Sequence, residues 1–518
     1  MRKKTVITSL LISIPLTGSS IYVALKMGAL PWPSIFCAIV AYAILSGRDL
    51  REVNIAEAGG TTGALIGGAV AFTLPAIWFM GGEITITDAL RFSAVLLIAS
   101  LTGIFLSSAL RERFLDSLPF PEGQATAETL KSIRVNRWFF VALALAGIFA
   151  QIRDFFAPAG CTFVIAGITL VFSPLLMGVG GGYIMGKKAS FSWFAGAVLG
   201  WVVLEPLIGL EPSIVQNIGL GVLLGSSMAF LASFLVGARF SRISVILTVV
   251  AFVVLSLLGI NPVASAIAVL MGNMFAMVAF RMTGETNVDP LEQFGLLTGI
   301  VIFAIFGYLG IGITLTSLII CVLFVACLAA VCGDIGHDFK AARLLGTDAG
   351  EIVRIEVIST ALASVLAPLF LLLIRNVYPT QLFTEVMPAP QAQLIARSLF
   401  GYEHPWVFLA AFVASFSVQL LLGNRFLSLS ALGIGIFLNL NLGLLFFIGG
   451  VWRAIDERRN KTDTSVPSAL LAGEGIAGFA SVIMLALGVR RSYTTAVLLI
   501  LFIVFLANNL ISKRDAAQ

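Results

Sequence analysis

Residues 54–76 read Asn54-Ile-Ala-Glu57-Ala-Gly-Gly-Thr61-Thr62-Gly-Ala-Leu-Ile-Gly-Gly-Ala-Val-Ala-Phe72-Thr73-Leu-Pro75-Ala76, and this stretch decides the fold. A helix crosses a bilayer in roughly 20 mostly apolar residues, and the stretch is long enough and apolar enough to do so. Gly59, Gly63 and Gly67 stand four apart, hence on one helix face, where they let a second backbone come close. Thr61, Thr62 and Thr73 supply hydroxyls, and Pro75 would free a carbonyl. Such a helix either crosses a neighbour tightly or cradles a substrate, and the residues alone allow both.

Similar runs continue in both directions. Apolar segments fall near 5–25, 29–46, 55–80, 87–110, 137–156, 159–185, 188–209 and 214–237. A second series lies near 241–259, 262–281, 291–310, 312–332, 352–374, 405–423, 427–452, 466–488 and 492–511. The Gly-rich segments 55–80 and 427–452 are candidates for broken or re-entrant helices. Across 518 residues, 59% are hydrophobic and 11% charged, with mean hydropathy +1.02. Soluble domains carry about a quarter charged residues, so the composition excludes a large soluble core. The start Met1-Arg2-Lys3-Lys4 imitates a signal peptide, but the run behind it reads as a first transmembrane helix.

The net charge of +5 comes from short basic clusters between apolar spans, as the positive-inside bias predicts, with no basic stripe for nucleic acid. Loops 48–51, 111–137 and 239–242 are basic, whereas 205–212 carries Glu205 and Glu211, so the N-terminus is expected inside the cell. The basic stretch 453–461 disturbs the parity of the second half. Cys37, Cys161, Cys321, Cys327 and Cys332 form no C-x-x-C pair, and the sequence calls for no metal site and no cofactor. Gly181-Gly-Tyr-Ile-Met-Gly186-Lys187-Lys188 nearly spells a phosphate loop but lacks the hydroxyl for magnesium and a preceding strand. Two histidines and no H-E-x-x-H argue against an intramembrane zinc protease.

The chain echoes itself. Asn54-Ile55 and Asn287-Val288 each lead into a Gly-containing apolar segment, 233 residues apart. Phe194-Ala-Gly-Ala-Val resembles Phe447-Ile-Gly-Gly-Val, 253 residues apart. Repeats of this kind are common in transporters, with the site at the repeat interface. They predict two pseudo-symmetric halves, 1–238 and 239–518.

An ionisable side chain inside a membrane is costly and therefore a functional candidate. Glu57 is one. Leu118-Pro-Phe-Pro-Glu122-Gly-Gln-Ala-Thr-Ala-Glu128 ends a span and can start a helix at Glu122, or it can be a solvated loop. Gly333-Asp334-Ile-Gly-His337-Asp338-Phe-Lys340 reads as part of a polar loop over 333–354. In it His337 stands between two carboxylates, suited to a proton relay, although a loop histidine is more often only solvated.

Together these segments resemble the oligopeptide transporter (OPT) superfamily, which includes the yellow-stripe-like carriers of metal chelates. Tyr22-Val-Ala-Leu25-Lys26-Met-Gly28 is similar to the family's first-helix motif, with Ser20 in place of the usual Asn. Asn54-Ile55…Gly63…Phe72-Thr73-Leu-Pro75-Ala76 resembles its third-segment signature, and Pro119-Phe-Pro-Glu-Gly123-Gln-Ala125-Thr-Ala127-Glu-Thr-Leu130 its Pro-x-Pro-x-Gly loop. Gly284-Glu285-Thr286-Asn287-Val-Asp289-Pro290 is like the prokaryotic branch; Asp338-Phe-Lys340…Gly346 and Ala389-Pro390-Gln391-Ala392 complete the series. Three departures stand out. Gly63-Ala64 replaces the frequent Gly-Glu, with Glu57 two helical turns earlier. Ala341-Ala342-Arg343 replaces Thr-Gly-Tyr, and Thr347-Asp348-Ala349 replaces an Ala-Ser-Pro-like turn.

The resemblance implies an all-α bundle of about 16 transmembrane helices and proton-driven import of short peptides or peptide-like metal chelates across the cell membrane. A substrate pathway is expected along Tyr22, Asn54, Glu57, Thr61, Thr62, Phe72, Asn287, Asp289 and Gln391, where polar groups beside breaks in the helical pattern can line a cavity. Coupling or gating would fall to Glu122, Glu128, Asp334, His337, Asp338 and Lys340. The expected partners are the substrate, protons and the lipid bilayer; a homo-oligomer is compatible with this, and nucleic acid is not expected. Two other readings stay open at this point: a symporter for ions or organic anions, and, more remotely, an intramembrane enzyme using Asp334 and His337.

Overall fold

A computed structural model describes residues 2–28, 33–46, 49–132, 137–157, 161–165, 168–234, 242–286, 289, 291–400, 404–423, 427–438 and 440–511. The first helices are α1 (Lys3–Met27), α2 (Ser34–Leu45), α3 (Leu50–Thr73), α4 (Pro75–Phe79), α5 (Ile86–Phe114), α6 (Pro121–Ser132) and α7 (Arg137–Phe156). A hairpin of β1 (Cys161–Ile165) and β2 (Ile168–Phe172) follows, then α8 (Leu176–Met185), α9 (Lys187–Val198), a π-helical turn (Leu199–Leu204) and α10 (Pro212–Phe234). The chain continues through α11 (Arg242–Leu257), α12 (Pro262–Thr286), α13 (Leu291–Leu309), α14 (Leu315–Leu345), α15 (Ala349–Val377) and α16 (Pro390–Phe400). It ends with α17 (Pro405–Leu422), α18 (Leu429–Phe437), α19 (Leu440–Arg458), α20 (Ser465–Ala486) and α21 (Arg491–Ile511).

Among the described residues, eleven helices are long and apolar enough to cross a membrane, with α3 and α4 running together as one span. Polytopic helical architecture follows from the solvent: in hydrocarbon every backbone group must be paired internally. Pro75 leaves residues 55–80 nearly continuous, whereas 427–452 is broken between α18 and α19. The segment 159–185 is no single helix. Its first part, rich in β-branched and aromatic residues, pairs as the antiparallel hairpin in register Phe163↔Leu170, and only its Gly-rich end is helical.

The polar stretch beginning at Gly333 needs correction. It continues α14 to Leu345 as helix, and His337 and Asp338 are buried, not solvated. The reason is packing. Gly333 lies against Thr283 of α12 and Gly336 against Phe120, so neighbouring elements cover this end of the helix. Polarity made the stretch read as loop; enclosure makes it core.

The chain packs as two units, each drawing on both sequence halves. One comprises Met1–Ile133, Phe230–Leu372 and Ala389–Gly401. Its centre is α14, buried on all sides and packed by α3, α5, α6, α12 and α13. In the same unit the glycine stripe of α3 faces α1. A Cβ at Gly63 would strike Ser13 and Thr17, and one at Gly67 the Thr17 carbonyl at 2.6 Å. These glycines therefore serve a tight helix crossing.

The other unit comprises Arg134–Ala229, Leu373–Pro388 and Tyr402–Gln518. Here the echo 253 residues apart is visible in the packing. Phe194 stacks on its counterpart Phe447 at 4.5 Å, and Trp193 meets its counterpart Phe446 edge-on, also at 4.5 Å. The glycines cross-match in the same way. A Cβ on Gly182 would strike the Phe446 backbone, and one on Gly435 the Trp193 backbone. Gly196 faces Leu432 as Gly449 faces Val179. Helices α8 and α9 thus pack on α19 and α18 as a local two-fold pair.

Candidate functional site

The site grows out of α3. Asp49 caps this helix by accepting from the Arg51 N–H, and the turns that follow carry Asn54, Glu57 and Thr62 into the unit's interior, each 0% exposed. Asn54 Nδ2 donates to Glu57 Oε2 at 3.1 Å, and the Thr62 hydroxyl donates to Glu356 Oε2 at 2.5 Å. Glu356 comes from α15, where Ser359 one turn later meets Ser9 of α1 at 3.2 Å. Asp338 of α14 lies beside Glu356, close enough for the two carboxyls to interact. Three helices thus place three carboxyl groups together.

A second group adjoins it. Pro119 and Pro121 end the chain's irregular passage after α5, and α6 begins with Glu122 in its first turn, where a carboxylate suits the positive helix end. Glu122 is 7% exposed, which rules out the solvated loop. Ligand atoms of Glu122, Asp334 and His337 lie within 4.8 Å of one another. The Gly123 N–H donates to His337 Nδ1 at 3.3 Å. Burial pushes the Glu122 carboxyl up to about 7, with Ser34 at the start of α2 pulling the other way.

Burying so many carboxyl groups is expensive unless protons or cations neutralise them. Among the described residues, no lysine or arginine makes a salt bridge to Glu57, Asp334, Asp338 or Glu356. Glu57 Oε1 also lacks a hydrogen-bond partner, and the carboxyls of Asp338 and Glu356 have each other as neighbours. The arrangement suits reversible binding of a cation, a proton included.

The other residues singled out in the sequence are spread more widely. Thr61 turns back to the Ala58 carbonyl of its own helix at 2.7 Å. Phe72 is buried core, and Tyr22, also buried, lies under the Lys26 ammonium at 5.1 Å. Gln391 Nε2 donates to the Gly28 carbonyl at 2.7 Å, joining α16 to the end of α1. Lys340 Nζ holds the carbonyls of Leu115 and Leu118, both at 2.9 Å, and so braces the passage into α6. Glu128 is on the exposed side of α6. Asp289 precedes α13 near Glu292, whereas Asn287 lies outside the described residues.

Glu356 and Glu474 were not among the sequence candidates. Both are acids inside apolar spans, which is the signal that singled out Glu57. Glu356 is disguised by Glu351 and Arg354, which make the start of α15 look like a solvated helix end. Glu474, in the other unit, pairs with buried Arg153 of α7 and accepts the Met177 N–H of α8 at 2.8 Å. It is accounted for by that pair and by the helix end it caps.

A family model described as OPT oligopeptide transporter protein matches residues 4–218 and 227–485, nearly the whole chain. A comparison with curated proteins finds no match.

Proposed function

The chain belongs to the oligopeptide transporter family, and from that premise we propose that it imports short peptides or peptide-like metal chelates by proton symport. Membership makes it a multi-pass membrane transporter of oligopeptides or related substrates; direction, coupling ion and cargo are our reading. The observation that carries it is the meeting of Glu356 with Thr62, Asp338 and Glu57, with no basic side chain among the described residues bridged to these acids. A buried carboxyl pair that gains and loses a proton as helices rearrange is a direct way to couple transport to a proton gradient. Glu356 faces Thr62 and Glu57 of α3 and Asp334 and Asp338 of α14, so its charge is felt on each helix that would have to move. It also offers a substitute for the acid missing at Ala64.

We place the transporter in the cell membrane with its N-terminus inside, and the repeat boundary near residue 238. Each half then contributes its first helices to one unit and its last helices to the other, as two interlocked repeats would. Alternating access would follow from rearrangement of the helices that the two repeats contribute. Uptake by reconstituted protein tests the coupling role. Glu356→Gln is expected to abolish the rise of uptake with external acidity, and Glu57→Gln to weaken it. Glu83→Gln, on an exposed turn, should leave it unchanged. A pH profile for Glu356→Gln that matches the parent protein would remove Glu356 from the mechanism.

A further inference from the structure

We propose that Glu122, Asp334 and His337 form a binding site for a divalent transition-metal ion held by the protein between α6 and α14. Asp334 and His337 stand three apart on one helix, a spacing that turns both side chains to the same face. Glu122 reaches them from a second helix, and the three ligand atoms lie within 4.8 Å of one another. Ligand atoms held at about 2.0–2.2 Å from one ion stand no more than about 4.4 Å apart, so small side-chain adjustments would bring the three onto a single ion.

The surroundings are built for it. A side chain at Gly123 would collide with the His337 backbone, so only glycine lets α6 lie close enough to present Glu122. The Gly123 N–H donates to the one lone pair of His337 Nδ1, so an ion taken by this nitrogen replaces that hydrogen bond. At 3.3 Å the hydrogen bond is long, and an ion displacing it forfeits little. Phe120 meets the imidazole edge-on at 5.6 Å and limits its rotation. Phe120 is itself held at φ 45°, an unfavourable conformation for a non-glycine residue, by its neighbours.

An independent sign of a ligand comes from Asp338. It lies one turn beyond Asp334 on the same face and is 2% exposed, and its described side-chain neighbour is another buried acid, Glu356. Buried acids side by side are costly unless a cation or proton neutralises them, and an ion beside Asp334 would offset that charge. Two ionised carboxylates with a neutral imidazole carry the charge that offsets a divalent cation. Mixed oxygen and nitrogen donors favour zinc, cobalt or manganese over magnesium, which prefers oxygen alone and keeps its water.

The test uses the full chain purified in detergent, stripped with a chelator and titrated with Co2+, Zn2+ and Mg2+. Co2+ should bind in equal proportion to chain, with a visible ligand-field spectrum that Zn2+ abolishes. Zn2+ should raise the melting temperature where the same concentration of Mg2+ does not. Asp334→Asn and His337→Gln should each weaken Zn2+ binding by roughly ten-fold or more, while Glu83→Gln leaves it unchanged. A parent protein giving no Co2+ spectrum overturns the site, and this reading stands even where the variants do not fold. A Zn2+ shift that Mg2+ reproduces, or that survives both substitutions, overturns it equally. Neither substrate nor gradient enters the measurement, so its outcome is independent of the transport reading.

Discussion

Asp289 illustrates how one buried acid shapes the molecule's response to pH. Both its carboxylate oxygens are shielded and without hydrogen-bond partners, and burial, with Glu292 nearby, raises its carboxyl well above the ordinary range. The folded state therefore favours the protonated form. Stability is greatest at pH below the ordinary carboxylate range and falls as pH rises through the raised value. Asp289→Asn should relieve a cost of about 1–3 kcal/mol. Melting curves should place it above the parent at pH 8 and level with it at pH 4; a lower melting temperature at pH 8 would contradict this. Much of the candidate site was legible at this scale. Glu57 stands out as an acid in an apolar run, and Glu122, Asp334, His337 and Asp338 stand out through polar motifs that read as loop; the fold gathers all five into one unit. Glu356 was not legible, because only the three-dimensional pairing with Thr62 shows which acid of α15 turns inward.

Helices were easier to find than the way they are covered. The apolar runs predicted most of the spans, but a run cannot tell a helix from a β-hairpin, as residues 161–172 show. Nor can polarity tell a loop from a helix enclosed by other helices, as the end of α14 shows. The glycines of α8 and α18 give a test at this scale. A methyl group on Gly182 or Gly435 would meet opposing backbone, which cannot step aside. Gly182→Ala and Gly435→Ala should therefore destabilise by similar amounts, about 1–3 kcal/mol each. Gly307 on α13 has nothing within 4 Å. Gly307→Ala should be neutral or stabilise by about 0.5–1 kcal/mol. Thermal unfolding of the three variants in detergent decides the matter, and equal effects at all three would count against the local two-fold packing.

For the whole molecule, the offset of 253 residues read from two short phenylalanine motifs reappears as matched contacts between α8, α9, α18 and α19. The division of each half between two packing units was not legible, because nothing in a linear pattern says which helices leave their neighbours. Family membership gives the general activity, and the enclosed carboxyls give the proposed driving force. The direct test is lumen pH in liposomes carrying the reconstituted protein and a trapped indicator, with short peptides or metal chelates added outside. Proton symport predicts that uptake acidifies the lumen, and that Glu356→Gln abolishes the acidification. Measurable uptake with lumen pH unchanged would contradict it.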